Sequence, residues 1–206
     1  WLSSGAGHMA SIAGTIKVND PANGDIMSAT SSRGANRALP DIVKPDVTAP
    51  GSNILAVVGV GDPNPPEYGF KSGTSMASPH VAGAAALFKA LYPTLTPAEV
   101  QSVFTTTGTL SMHKEDAATP ADPFDMGGGR IKVDTAAVAA LVLDETEANY
   151  ITANPATGGD PKALNLATMG NQVCPGACSW TRTVRSVAPG TVDVAASPRN
   201  PPGWIL

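Results

Sequence analysis

The sequence predicts an α/β domain followed by a β-sandwich, and three observations lead to this prediction. Residues 76–91 are almost all small or apolar, which is typical of a helix buried in the centre of a sizeable fold. Residues 53–58 form an apolar segment with the length and composition of a β-strand. After about residue 145, helical patterns end and short alternating stretches separated by turns begin, which is typical of a sandwich.

The two main helices carry recognisable start signals. Pro79 is expected in about the first turn of the helix 76–91, where the missing N–H of proline costs least. The next helix begins with Thr96-Pro97-Ala98-Glu99, which is a capping box with proline at the first helical position. Gly108 follows the last turn of this helix and predicts its end.

Weaker patterns predict the remaining elements. Apolar runs or alternation indicate strands at 26–29, 127–133, 163–166, 179–187 and 191–196. Segments rich in Gly, Pro or polar residues indicate loops at 59–69 and 109–125. Asp134 is expected to cap a short helix that ends at Leu141.

The composition excludes two classes of partner. The 206-residue chain has a formal net charge of −4 and no basic run, which argues against a nucleic-acid-binding surface. No apolar stretch is long enough to span a bilayer, so we expect no membrane partner. Because the chain begins at Trp1 rather than at a methionine, we also expect further sequence upstream.

The two cysteines, Cys174 and Cys178, leave two interpretations open. They could form a small disulfide across a turn, which would fit an exported protein, or they could be half of a metal site. A metal site would need two further thiolates or imidazoles, and the sequence places none nearby. We favour the disulfide and expect no cofactor, while the sequence leaves structural calcium undecided.

Ser75 is the candidate for chemistry, because it precedes the long helix directly. A serine hydroxyl needs a base to take its proton and donors to hold the oxyanion that its attack creates. A helix N-terminus offers unpaired N–H groups, so the N–H of Ser75 is a candidate oxyanion donor. Thr74 would support it through its hydroxyl, and Gly73 would allow the close turn that exposes the side chain.

Two other interpretations of Ser75 compete with this one. Serine is among the best N-cap residues, so Ser75 could be a helix cap and nothing more. The Gly-x-Ser-x-Gly nucleophile elbow fails at its last position, which is Ala77. None of the three histidines lies where a base for Ser75 would be expected, and His80 is five residues further along the chain.

The segment from Gly73 to Gly83 closely resembles the serine motif of the subtilases, the subtilisin-like serine peptidases. Further matches in the family's order and spacing are residues 31–34, residues 44–51 and the helix that begins at Thr96, so the resemblance covers roughly residues 25–142. It implies a mostly parallel sheet with helices on both faces, incomplete in this chain. It also implies that Ser75 is the nucleophile and that His80 is structural.

Three motifs of the family are missing from the sequence: Asp-Thr/Ser-Gly, His-Gly-Thr and the Ala-Gly-Asn segment that supplies an oxyanion amide. In subtilases these lie upstream of the serine motif. The resemblance therefore implies a serine endopeptidase that cleaves proteins or peptides, with its Asp and His in an upstream part of the same polypeptide and negligible activity in this chain alone. The alternative is a non-catalytic protein that keeps the scaffold for binding.

The two ends of the chain carry weaker resemblances. Residues 1–20 resemble the tail of a protease-associated domain, and residues 21–144 would be the C-terminal part of the peptidase domain. Residues 145–206 resemble the start of a fibronectin type III-like sandwich, and the segments 163–166 and 179–184 carry that likeness. Together with the cysteine pair, the family resemblance implies a secreted protein.

Overall fold

The computed structural model describes residue 20, residues 23–59 and residues 67–189. In these residues the α-helices and strands are β1 (Ile54–Val58), β2 (Glu67–Lys71), α1 (Thr74–Leu91), α2 (Pro97–Thr107), α3 (Pro123–Met126), α4 (Val133–Ala136), β3 (Leu141–Val142), α5 (Glu147–Thr152) and β4 (Arg185–Ser186). Single 3-10 turns lie at Pro155–Thr157 and Pro161–Ala163. This mixture of helices and strands agrees with the predicted α/β class.

Strand pairing in the described part of the chain is mainly antiparallel. β1 and β2 form one two-stranded sheet, in which Leu55 faces Phe70 and Val57 faces Tyr68. β3 and β4 form the other. Parallel pairing within these residues is limited to isolated bridges, such as the one between Thr48 and Arg130. The mostly parallel sheet therefore stays a prediction.

The best-defined helix start is that of α2, and it confirms the predicted capping box. The side chain of Thr96 accepts a hydrogen bond from the N–H of Glu99 at 3.1 Å, and the Glu99 carboxylate accepts one from the N–H of Thr96 at 2.9 Å. Pro97 occupies the first helical position and Gly108 is the C-cap. Local sequence alone sets both ends of this helix because each signal lies within one turn of the end.

The main core joins α1 to α2, α4 and β3. Its buried members are Ala84, Phe88, Leu95, Val100, Val103, Phe104, Ile131, Ala136 and Val142. The rings of Phe88 and Phe104 meet edge to face with their centroids 5.3 Å apart, a favoured aromatic geometry. This core packs against the C-terminal half of α1, since Phe88 lies about 20 Å along the helix axis from Ser75.

Helix α1 extends over the predicted residues, but the prediction that it is buried all round is wrong for the described structure. Only Ala84 and Phe88 are buried, whereas Leu87 and Leu91 are 63% and 65% exposed. The elements that contact α1 cover one side of it, so its remaining apolar residues face outward. Pro79 is the sixth residue of the helix, beyond the first turn in which we expected it.

Two corrections concern residues 109–137. The predicted loop 109–125 ends in α3, which starts with a second capping box between Asp122 and Asp125. Helix α4 starts at Val133 after Lys132 and ends at Ala136, so Asp134 lies inside it and does not cap a helix that reaches Leu141.

In place of the predicted strand 127–133, Arg130 makes isolated bridges. Gly127 and Gly129 have positive φ angles of 60° and 91°, which interrupt an extended strand. At residues 26–29, pairing is limited to a bridge at Ile26. The predicted loop 59–69 overlaps β2, which begins at Glu67.

The region after residue 145 contains a helix that the sequence interpretation missed. The side chain of Thr146 caps α5 by accepting a hydrogen bond from the N–H of Asn149. A 3-10 turn occupies Pro161–Ala163 at the start of the predicted strand 163–166, since proline favours such a helical start. Within 179–187 the strand is limited to Arg185–Ser186. The predicted strand 191–196 lies outside the described residues, and the sandwich and the domain boundaries stay predictions.

Candidate functional site around Ser75

Ser75 is the second residue of α1, and its side chain is exposed. The residue before the helix, Gly73, is its N-cap and has a φ of 150°, a conformation that favours glycine. Its carbonyl accepts hydrogen bonds from the N–H groups of Met76 at 2.9 Å and Ala77 at 3.3 Å. The structure thus places the Ser75 hydroxyl at an open helix N-terminus.

Position in the helix also makes the backbone of Ser75 available. The N–H at the second helical position has no carbonyl one turn earlier to bind, and the helix dipole places partial positive charge there. An oxyanion formed beside Ser75 would therefore meet a favourable electrostatic environment. Thr74 is the first residue of the helix, and its side chain is exposed as well.

The turn before β1 holds the start of α1 in place. The Gly51 carbonyl accepts a hydrogen bond from the Gly73 N–H at 2.8 Å. Close by, the N–H of Asn53 donates to the hydroxyl of Ser72 at 2.8 Å. Residues 44–51 match a motif of the sequence, but their contact with the start of α1 could not be predicted, because its partners are far apart in the chain.

The described histidines bond elsewhere than to Ser75. The Nδ1 atom of His80 lies 2.8 Å from the carbonyl of Met76, so this ring is tied to its own helix. The backbone of His113 exchanges hydrogen bonds with Asp25 and Met27, in a bridge away from α1. His8 lies outside the described residues. Within the part of the chain that the structure describes, no base is positioned for the serine.

A charged cluster lies between the loop near Arg33 and α3. Arg33 pairs with Glu115 and Asp125, and Lys114 lies 3.2 Å from Asp125 and 3.4 Å from Asp122. Burial raises the pKa of Asp125, but hydrogen bonds from the Asp122 N–H, Lys114 and Arg33 outweigh it and hold that pKa below its ordinary value. These carboxylates are therefore engaged by cations of the protein itself. In the described ranges no group of three or more His, Cys, Asp or Glu residues is arranged to hold a metal ion.

Cys174 and Cys178 form a disulfide with their Cα atoms 5.9 Å apart. Both sulfurs are used in this bond, so the structure offers no thiolate for a metal at this position. The backbone beside the bridge is anchored by the N–H of Gln172, which donates to the Asp41 carboxylate at 2.7 Å. The bridge thus pins a turn at the surface.

Comparison with known proteins decides the family. Residues 4–159 match the family model described as the subtilase family. The chain belongs to the subtilase family. The prediction made from the serine motif is confirmed, and the match crosses both predicted domain boundaries.

Curated relatives of this subtilase include two proteins of Arabidopsis thaliana. Subtilisin-like protease SBT1.6 is 36% identical over an alignment 225 residues long, which covers 100% of this chain and 28% of that protein. Subtilisin-like protease SBT1.7 is 39% identical over 156 residues, which cover 68% of this chain and 20% of that protein. The subtilase chain therefore spans less than a third of the length of these relatives.

Among solved structures, fervidolysin from Fervidobacterium pennivorans, a keratinolytic enzyme related to subtilisin, overlaps with 44% of this chain and 15% of its own. The identity is 26% and the TM-score is 0.34, an overlap too loose to inform the fold of this subtilase.

In the part of the chain that the structure describes, no helix combines the length and apolar character that crossing a membrane requires.

Proposed function

We propose that the polypeptide containing these residues is a serine endopeptidase in which Ser75 is the nucleophile. The observation that carries this proposal is the exposed Ser75 hydroxyl at the second position of an 18-residue helix, directly after the Gly73 turn. Membership of the subtilase family and the printed names of the relatives support it. Ser75 is not the N-cap of α1, because Gly73 occupies that position.

In the proposed reaction, the Ser75 hydroxyl attacks the carbonyl carbon of a peptide bond. The Ser75 proton passes to a base, and the oxygen of the carbonyl becomes an oxyanion that the Ser75 N–H binds. The amine product leaves with that proton, and water then hydrolyses the acyl-enzyme. We assign the base, its orienting acid and the second oxyanion donor to a part of the polypeptide outside the 206 residues, since their motifs are not found in this sequence.

The exposed apolar surface of the chain supports the proposal that another part of the polypeptide completes the active site. Leu87 and Leu91 of α1 are more than half exposed, and so are Leu55, Tyr68 and Phe70 on the hairpin β1–β2. An apolar surface of this kind marks a region that another part of a protein covers. We propose that the rest of the peptidase domain packs here and completes a mostly parallel sheet with helices on both faces. The chain by itself is then inactive and poorly soluble.

The finer features of the proposal concern the ends and the environment of the protein. A protease-associated-like segment would precede the described residues, and a fibronectin type III-like sandwich would follow the peptidase domain. The substrate class is protein or peptide. Secretion is supported by the disulfide between Cys174 and Cys178, because such bonds persist in oxidising compartments.

A serine-reactive fluorophosphonate tests the proposal on the full-length polypeptide. We expect covalent labelling that Ser75→Ala abolishes. Ser78→Ala is the matched control, because Ser78 is an exposed serine of the same helix. This variant should be labelled like the unaltered protein. A full-length protein that takes no label, although folded, would be a non-catalytic binding protein that keeps the subtilase scaffold.

A further inference from the structure

The start of α1 lacks the usual side-chain cap. Its N-cap, Gly73, has no side chain to offer, and no side-chain hydrogen bond caps this end of the helix. Helices that begin this way depend on other groups to fix the entry of the chain. In this structure the Gly51 carbonyl takes that part by accepting the Gly73 N–H at 2.8 Å.

The approach of Gly51 to α1 leaves no room for a side chain. A Cβ atom on Gly51 would lie 2.9 Å from the Gly73 carbonyl oxygen and 3.2 Å from the Cβ of Ala77. The carbonyl is backbone and receives the first hydrogen bonds of the helix, so it would have to shift. The Ser75 Oγ and N–H belong to the same turn and would shift with it.

A second contact ties the same two segments together. Asn53 has a φ of 52°, and its N–H donates to the Ser72 hydroxyl at 2.8 Å. The Ser72 hydroxyl lies 3.4 Å from the Asn53 side-chain oxygen, to which it donates in turn. Directly beyond, Ile54 pairs with Lys71 in the hairpin. The chain from Gly51 into β1 therefore holds residues 71–73 along their length.

We propose that Gly51 and the Asn53–Ser72 pair are positioning residues for the nucleophile. They fix the position and orientation of the first turn of α1, so that the hydroxyl and the N–H of Ser75 point toward one carbonyl group of the substrate. This inference rests on the proposed function. Neither residue touches substrate; both act through the Gly73 turn.

The first test replaces Gly51 in the full-length polypeptide and measures hydrolysis of a peptide substrate. Displacing a reacting group by about 1 Å costs on the order of 100-fold in rate, so we expect Gly51→Ala to lower kcat by about that factor. KM should change less than kcat, because the proposed role of Gly51 acts on the reacting groups of Ser75 through the Gly73 turn. Gly59→Ala is the matched control at the far end of β1, since a Cβ there meets nothing within 4 Å.

A second pair of variants keeps the test decisive if Gly51→Ala does not fold. Ser72→Ala removes the hydroxyl that accepts from Asn53, whereas Ser72→Thr keeps a hydroxyl. We expect Ser72→Ala to slow fluorophosphonate labelling of Ser75 by about fivefold, the effect of one lost hydrogen bond, and Ser72→Thr to restore it. Wild-type rates in both Gly51→Ala and Ser72→Ala would overturn the inference.

Amide hydrogen exchange separates this inference from the proposed function. The Gly73 amide bonds to the Gly51 carbonyl, and the amides of Met76 and Ala77 bond to the Gly73 carbonyl. Gly51→Ala should therefore speed the exchange of all three amides, while Gly59→Ala leaves it unchanged. If the wild-type protein takes no label but Gly51→Ala still speeds exchange, the proposed activity is wrong, but the contact of Gly51 with the Gly73 turn still holds α1 in place. If wild type is labelled and neither exchange nor rate responds to Gly51→Ala, the positioning role fails.

Discussion

The two long helices of this subtilase differ in how completely the described residues pair their polar groups and cover their apolar faces. The N-terminal part of α2 has its buried polar groups paired and its apolar face covered. Helix α1 and the hairpin before it leave large apolar side chains exposed. Within the described residues, the α2 region therefore has its apolar face buried, whereas the α1 region leaves apolar surface uncovered.

The α2 region is held by contacts between distant parts of the chain. The Glu99 carboxylate, 2% exposed as a residue, accepts from the N–H of Thr96 and from Arg185, whose Nε lies 2.7 Å away. The Ser102 hydroxyl donates to the Glu99 carbonyl and accepts from the N–H of Leu143 at 2.9 Å. Buried polar groups cost little when they are paired in this way.

The α1 region has the opposite character. Leu55 faces Phe70 and Val57 faces Tyr68 across the hairpin, and these four side chains are 57–72% exposed. Such cross-strand pairs stabilise a hairpin, but they bury little area unless another layer covers them. Ser75 follows the end of β2 by four residues, so the candidate site lies at one end of this uncovered region.

The largest expected difference comes from removing one aromatic ring from each region. Phe104→Ala should lower the free energy of unfolding by about 3–5 kcal/mol, because Phe104 is buried in the core beside Phe88. Phe70→Ala should change it by less than about 0.5 kcal/mol in the 206-residue chain, because the ring is exposed. Denaturant unfolding measures both, at a protein concentration low enough to keep the poorly soluble chain in solution.

The same pair of variants in the full-length polypeptide sharpens the comparison. If further protein covers the hairpin, Phe70→Ala becomes destabilising there by about 2 kcal/mol or more, while the effect of Phe104→Ala persists. An equal, small effect of Phe70→Ala in both proteins would show that the hairpin face stays uncovered.

A medium effect is expected at the ion pair of the α2 region. Arg185→Met should cost about 2–3 kcal/mol, because it leaves the buried Glu99 carboxylate without its cation. Glu99→Gln should cost about 1 kcal/mol, since it keeps an oxygen for the Thr96 N–H and leaves a partly exposed Arg185 in contact with water. Lys44→Met, in the exposed pair with Asp46, is the control and should have almost no effect. Equal costs for Arg185→Met and Lys44→Met would contradict this account of α2.

The smallest expected effect is a pH dependence in the loop before α3. The Thr119 hydroxyl and the N–H groups of Ala118 and Thr119 bond to Asp116 and lower its pKa from 3.8 to about 2. Because the folded-state pKa is lowered, this stabilisation is present above pH 3.8 and is lost as the pH falls through about 2. NMR titration of the Asp116 carboxyl should show that midpoint, and Thr119→Val should raise it. An ordinary midpoint in the unaltered protein would refute the turn geometry.

Elements whose signals lie within one turn could be predicted from the sequence. The capping box at Thr96, the strand near Ile54 and the helix after Ser75 all follow from adjacent residues. Helix α3 was missed because it is a single turn, and its capping box has Asp125 at the position where Glu or Gln is usual.

Contacts between distant residues could not be predicted in this way. The pair Glu99–Arg185 spans 86 positions, and the contact from Gly51 to Gly73 depends on the hairpin between them. Hydrophobic pattern also overestimated the burial of α1, because an apolar helix is buried only where partner elements are present. The candidate nucleophile followed from local sequence, but its support by Gly51 and Ser72 required the fold.

Whether Ser75 is a reactive nucleophile can be measured by peptide mapping of the fluorophosphonate adduct on the full-length polypeptide. We expect one modified peptide, with the added mass on Ser75, and loss of labelling in Ser75→Ala but not in Ser78→Ala. An adduct on another serine, or a folded protein that stays unmodified, would contradict it.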